Sequence, residues 1–339
     1  MKLTIYTECP TEVYFQPLRY LQEQKKIKLE IIDSRLFYLP LLKLKLFLKR
    51  EKKEYIKGSV FSSWIAPIKL LFSDKILLGF SPYSNAVYYL LFLKLIKKDL
   101  IYYTSWPHWD QKRGRSNWFW NRFLWRLFLK KTKKIGVNDA CAKVLDNIEI
   151  IYHSVDTELF KPEKKRLNVL YVGRLEEEKG ILDLITLSEE FKNITFTFVG
   201  NGKLKPLIKG DNIEYFGEIW NREKLANVFN QSSIFVLNSY KTENWEEVFG
   251  LSVLEAMSSG LAVISTDCIG PKRIITNGED GFLIPQRNIN ILRDKLNLVI
   301  KDNKIRERLG KNGRKKVLEN YDIKKIGEKW EKFLSNPSN

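Results

Sequence analysis

Short apolar runs alternate with longer amphipathic stretches through the first half of the chain. The runs at residues 3–6, 29–32, 76–79, 100–104, 134–137 and 148–151 have strand length and are mostly Ile, Leu, Val and Tyr. Apolar residues at consecutive rather than alternate positions belong to strands covered on both faces. These runs therefore predict a parallel sheet with helices on each side. The same rhythm returns in the second half, where residues 169–172, 233–239 and the LAVIST run ending before Asp267 read as strands. A helix is predicted from near Ile181, and another after Gly250, where Leu251, Leu254 and Met257 recur at helical spacing. Gly270-Pro271 reads as a turn. The pattern divides the chain into an N-terminal α/β domain, residues 1–160, a C-terminal α/β domain, 161–321, and a helical segment, 322–339. A length of 339 residues suits two such cores.

Charge changes this picture. Residues 1–160 hold 28 Lys+Arg against 15 Asp+Glu, or +13, whereas 161–339 hold 30 against 25, or +5. The first half is thus expected to face something anionic. Its basic excess lies in residues 39–57, 86–98 and 117–134. In the last of these, Arg122, Arg126, Lys130 and Lys134 recur at four-residue steps, with Trp118, Phe119, Trp120, Phe123, Trp125 and Phe128 between them. Because a helix there must cover the sheet, its aromatics are assigned to the core. Residues 39–57 are the stronger candidate for an anionic membrane surface, with a solvated basic face as the plain alternative. The apolar run at 86–93 stops at Lys94 and is too short to span a bilayer. Cys9, Cys141 and Cys268 are scattered without a C-x-x-C, which fits a reducing, cytoplasmic setting and no zinc site.

Candidate chemistry centres on Glu247 and Glu255, with seven residues between them. The predicted helix puts Glu247 just before its start and Glu255 about two turns inside. A carboxylate accepts charge-assisted bonds from a vicinal diol, and the free N–H groups of a helix starting near Phe249, Gly250 and Leu251 face an anion. Diol, anion, diol is the layout of a nucleotide sugar. Spacing alone favours the plainer reading, a buried helix with Glu247 as cap and Glu255 solvated, because carboxylates at this separation are common. Upstream, a strand runs into Gly173-Arg174, and Lys179-Gly180 precedes the next helix. Arg174 and Lys179 can converge there on a diphosphate, or stand as solvated charges beside Glu176, Glu177 and Glu178. The segment lacks the glycine and lysine spacing of a Walker loop. Gly200-Asn201-Gly202 has Lys205 where a dinucleotide fingerprint needs glycine, so NAD is disfavoured. The loop at 102–115 follows a strand and carries His108, a second candidate half-site.

The segment EEVFGLSVLEAMSSGLAVIST resembles the C-terminal signature of retaining GT-B glycosyltransferases of family 4. Residues 150–162, IIYHSVDTELFKP, are similar to that family's crossover between domains, with Ser154 replacing the usual glycine, and NGEDGFLIP at 277–285 is similar as well. Trp106 stands where the family commonly has histidine, with His108 two residues later, and Arg273 where it often has glutamate. Asn138-Asp139-Ala140 replaces a Ser-Glu-Ala. The likeness covers residues 150–334 well and the first half weakly.

The resemblance implies two Rossmann-like domains with parallel sheets facing an interdomain cleft. The first would bind the acceptor, the second the nucleotide sugar, and the final helix would cross back to the first. It implies retaining, metal-independent transfer of a hexose, with no cofactor beyond a UDP- or GDP-sugar co-substrate. Gly173, Arg174 and Lys179 would hold the diphosphate beside Phe249, Gly250 and Leu251. Glu255 would hold the ribose, while Glu247 and His108 are the candidates at the reacting centre. The basic first half adds the expectation of a lipid-linked or other glycan acceptor and a peripheral membrane position, with no nucleic acid. Two other readings stay open: a nucleic-acid-binding protein, and a catalytically silent GT-B partner subunit, suggested by Trp106 and Arg273.

Overall fold

The computed structural model describes residues 1–8, 11–33, 66–106, 118–243 and 245–336. The chain forms two compact units, Met1–Tyr152 with Gly327–Asn339, and His153–Ile326. The sequence pattern set these divisions at 160/161 and 321/322. The difference has a local cause: residues 153–160 bond into the second unit. Val155 N donates to Tyr321 O at 3.0 Å, Asn230 Nδ2 to Leu159 O at 3.0 Å, and Ser258 Oγ to Phe160 O at 2.6 Å.

The first unit holds six described parallel strands: β1 Lys2–Thr7, β2 Lys28–Asp33, β3 Lys75–Gly79, β4 Asp99–Thr104, β5 Lys133–Gly136 and β6 Ile148–Ile150. Their order is β2-β1-β3-β4-β5-β6, with Leu3 opposite both Leu29 and Lys75. Leu3, Ile5, Ile76, Leu77 and Leu78 are fully buried, as strands covered on both faces require. Strand order reverses between β1 and β3. There Ser81 donates its N–H and hydroxyl to Glu8 Oε2 at 2.9 and 2.6 Å. Trp106, just past β4, is half-buried against the core of this unit.

The second unit repeats the plan with β7 Asn168–Val172, β8 Thr195–Val199, β9 Ile213–Tyr215, β10 Ile234–Leu237, β11 Ala262–Thr266 and β12 Phe282–Ile284. All the pairings are parallel, in the order β12-β11-β10-β7-β8-β9. Strand order reverses between β7 and β10, the place where open parallel sheets leave a ligand-binding crevice beyond their carboxyl ends. The Gly-x-Gly after β8 serves packing there. A Cβ on Gly200 would lie 1.8 Å from Gly173 O, and one on Gly202 2.4 Å from Leu175 O. Leu175 N donates to Asn201 O at 2.9 Å, closing the loops after β7 and β8 onto each other.

Gly270-Pro271 is not a turn but part of the Ile269–Ile274 helix. Pro271 sits in its first turn, where the missing N–H costs nothing. Gly270 is required by contact, because its Cβ would fall 2.3 Å from the Phe249 backbone. Among the described residues, no helix is long and apolar enough to cross a membrane. Cys141 and Cys268 are buried free thiols.

Candidate functional site

The residues singled out in the second half collect at the carboxyl ends of β7, β10 and β11. After β7 the chain passes through Gly173 and Arg174 to a turn of 3-10 helix, Glu177–Lys179. Gly180, at φ +69°, then turns the backbone into the Ile181–Glu190 helix. Only glycine fits there, since a Cβ would sit 2.1 Å from the Asn238 carbonyl oxygen at the end of β10. This close approach brings Lys179 beneath the β10 loop, and Tyr240 N donates to Glu178 O at 2.9 Å.

Lys179, only 9% exposed, extends its ammonium to Glu247 Oε2 at 2.5 Å. The other oxygen of Glu247 accepts the Gly250 N–H at 3.1 Å. Gly250, at φ +83°, opens the Leu251–Ser258 helix, so Glu247 also caps that helix start. Trp245 completes the cluster, its ring centre 4.6 Å from Lys179 Nζ and 5.6 Å from Arg174 Cζ. Arg174 is the more exposed cation and pairs with Glu178 at 3.1 Å. Lys179, Arg174, Glu247 and Gly250 are therefore brought together, with Gly173 at the root of the same loop. Phe249 is buried, edge-on to His153 at 4.6 Å between ring centres.

Glu255 lies elsewhere on the helix, one turn inside it rather than two, because the helix begins at Leu251. It is 3% exposed, which removes the solvated alternative. Its Oε1 is 2.7 Å from Arg222 Nη2, at the start of the Arg222–Asn230 helix, and the guanidinium lies 4.7 Å from the Phe160 ring centre. The contact runs through Nη2, and Arg222 Nε has no hydrogen-bond partner among the described residues. Burial pushes the Glu255 carboxyl above its ordinary range, and the charge of Arg222 opposes that shift.

Asn238 Oδ1 and Ser239 Oγ at the end of β10, and Glu246 Oε2 beside Glu247, are also buried without hydrogen-bond partners among the described residues. Buried polar groups are nearly always satisfied.

Arg222 and Trp245 were not visible from the motifs. Arg222 is far from Glu255 in sequence, and Trp245 carries no polar signature, although its place two residues before Glu247 is a signal in hindsight. His108 lies outside the described residues, as do residues 39–57. Among the described residues, no group of three or more His, Cys, Asp or Glu side chains is arranged to hold a metal ion.

Residues 155–316 match the family model of glycosyl transferases group 1, so the second unit is a domain of that family. A curated relative from Campylobacter jejuni is the N,N'-diacetylbacillosaminyl-diphospho-undecaprenol alpha-1,3-N-acetylgalactosaminyltransferase. It is 28% identical over 222 residues, covering 62% of this chain and 56% of the relative. The chain thus spans little more than half of that relative's length. Sucrose-phosphate synthase of Thermosynechococcus elongatus shares the fold at a TM-score of 0.75, with 17% identity over 98% of both chains. Anabaena HepE, solved in complex with UDP, follows at 0.71, with 15% identity over 99% of this chain and 100% of its own. The architecture is that of GT-B glycosyltransferases.

Proposed function

We propose, from the group 1 glycosyltransferase domain of the second unit, that this protein transfers a hexose from a nucleotide-diphosphate sugar to a hydroxyl of a lipid-linked or other glycan acceptor. The observation that carries the proposal is the Lys179–Glu247 pair at the mouth of the β7/β10 crevice, beside a glycine-opened helix start. A diphosphate entering that crevice would meet Lys179, Arg174 and the N–H groups at the helix start. Those groups would stabilise the charge that grows on the departing diphosphate, the role a metal ion plays elsewhere.

Glu247, released from Lys179 as the phosphates arrive, would accept hydrogen bonds from the sugar hydroxyls. The buried carboxylate of Glu255 would accept the ribose hydroxyls. In the retaining course proposed here, the acceptor hydroxyl attacks the anomeric carbon from the side the nucleotide leaves. The bond from that carbon to the phosphate oxygen breaks as the new glycosidic bond forms, and the acceptor's proton passes to the leaving diphosphate. A UDP- or GDP-sugar is the proposed donor, in line with the UDP held by HepE. The polyprenyl-diphosphate acceptor in the name of the Campylobacter relative supports a lipid-linked acceptor at a membrane surface inside the cell.

Screening UDP- and GDP-sugars by thermal shift, followed by nucleoside diphosphate release, tests this reading. Stabilisation by at least one donor and slow hydrolysis without acceptor are expected. Stabilisation without any hydrolysis would instead indicate the silent-subunit reading.

The raised carboxyl of Glu255 gives a pH signature. Such a group takes up a proton on acidification before an ordinary glutamate does, and then loses its acceptor-only character. Calorimetric affinity for the nucleotide should therefore fall on acidification at a higher pH than an ordinary glutamate would bring about, and Glu255→Gln should flatten that fall. An unchanged pH profile in the variant would remove Glu255 from the ribose site.

A further inference from the structure

One face of the first unit is unexplained by donor chemistry. The Val87–Leu95 and Trp118–Leu129 helices pack together there, joined by Lys94, whose ammonium donates to Phe128 O at 2.6 Å and Thr132 Oγ1 at 3.1 Å. The inner side of the second helix meets expectation, with Trp125 and Phe128 fully buried. Its outer side does not. Phe119, Trp120, Phe123 and Leu127 share one helical face and are 73%, 65%, 58% and 50% exposed. On the neighbouring helix Tyr88, Phe92 and Leu95 form a second stripe, with Leu95 80% exposed. Two exposed apolar stripes on a pair of packed helices exceed the scattered apolar residues of an ordinary surface.

Beside them opens a pocket of about 620 Å³ whose described lining includes Arg122, Arg126, Lys130, Lys131 and Lys134, with Asp146 the one acid among the described residues. Among the described residues, Arg126, Lys130, Lys131 and Lys134 bring like charges into one pocket, a repulsion that an anion among them would relieve. Burial holds the Lys134 ammonium below its usual range, Asp146 opposing, so the pocket is partly desolvated.

We propose that this face docks on an anionic bilayer, the two apolar stripes entering the interface while the Arg122–Lys134 pocket takes the phosphate of an anionic phospholipid. Charge complementarity selects this occupant. A second copy of the chain would bring the same positive face. The chain's own residues 34–65 hold 8 Lys+Arg against 2 Asp+Glu and carry the same sign. A nucleic acid would satisfy the cations but leave Leu95, Leu127 and the outer phenylalanines in water, whereas a bilayer interface receives both. The inference deepens the glycosyltransferase reading by placing its acceptor at a membrane, yet the docking is measured without donor or acceptor.

The test is flotation of the full chain with vesicles of phosphatidylglycerol and phosphatidylcholine, and with phosphatidylcholine alone. Wild type should float with the anionic vesicles at low salt and lose binding as salt rises. Arg126→Glu with Lys130→Glu, and separately Phe119→Ser with Trp120→Ser and Phe123→Ser, should each reduce binding by about tenfold or more. All these positions are exposed, and circular dichroism and calorimetry with UDP and GDP confirm that the variants fold. Wild type remaining at the bottom, or either variant floating like wild type, would overturn the proposal. So would full competition by inorganic phosphate at moderate ionic strength, or retention by single-stranded DNA in place of vesicles. Failed flotation with intact nucleotide binding rejects the docking alone; flotation without nucleotide binding rejects the glycosyltransferase reading alone.

Discussion

Glu247→Ala is expected to lower kcat/KM for sugar transfer by about a thousandfold or more, with nucleoside diphosphate affinity changed only a few-fold. The carboxylate makes two contacts, to Lys179 at 2.5 Å and to the Gly250 N–H at 3.1 Å. Neither is a reason for the nucleotide to bind. Its loss frees Lys179 to meet the diphosphate without a competitor, so binding should persist or tighten. What disappears is the acceptor proposed for the sugar hydroxyls. A stability effect must be separated from this one. The pair is largely buried, with side chains 11% and 15% exposed, and removing one partner strands the other at a cost on the order of 2–4 kcal/mol. Glu247→Gln keeps the size and an acceptor for Gly250 while giving up the charge. If both variants fold and both transfer at the wild-type rate, Glu247 has no part in the reaction.

Lys179→Met is expected to weaken nucleoside diphosphate binding by about a hundredfold and to slow transfer more than it weakens binding, since charge on the diphosphate grows as the bond breaks. Arg174→Met should cost less, because Arg174 is the more exposed and already shares its charge with Glu178 at 3.1 Å. Charge reversal at both positions should abolish diphosphate binding. Trp245 enters here as a positioning residue: its ring lies against both cations. An affinity for diphosphate that survives the loss of both cations would place the phosphates elsewhere.

The strands were legible in the sequence to within a few residues, because a doubly covered parallel strand leaves a continuous apolar run and little else does. Residues 76–79 and 169–172 needed only one more residue each to become Lys75–Gly79 and Asn168–Val172. The helix starts after Gly180 and Gly250 were legible for a local reason, as each requires a left-handed glycine. Glu247 and Lys179 were legible as a motif but not as a pair, since a distance of 2.5 Å between residues 68 positions apart is set by the close approach of Gly180 to Asn238.

Glu255 was half legible. Its helix was predicted, its depth was overestimated, and Arg222 arrives from another helix that no spacing rule connects to it. The outer aromatics of the Trp118–Leu129 helix were assigned to the core, and the structure corrects that. Periodicity records that a residue is apolar, not whether anything packs against it. Gly270-Pro271 was read as a turn because both residues favour one, although here contact with Phe249 demands the glycine and the first helical turn accepts the proline.

The central claim is that the β7/β10 crevice of the second unit is a diphosphate cradle for an activated sugar. Calorimetry with UDP and GDP beside the corresponding monophosphates and nucleosides tests it most directly, on wild type and on the Lys179→Met Arg174→Met double variant. The account predicts that one diphosphate binds wild type at least about tenfold more tightly than its monophosphate, and that the double variant loses this preference. Equal affinity for diphosphate and nucleoside in the wild type, or a preference untouched in the double variant, would contradict it.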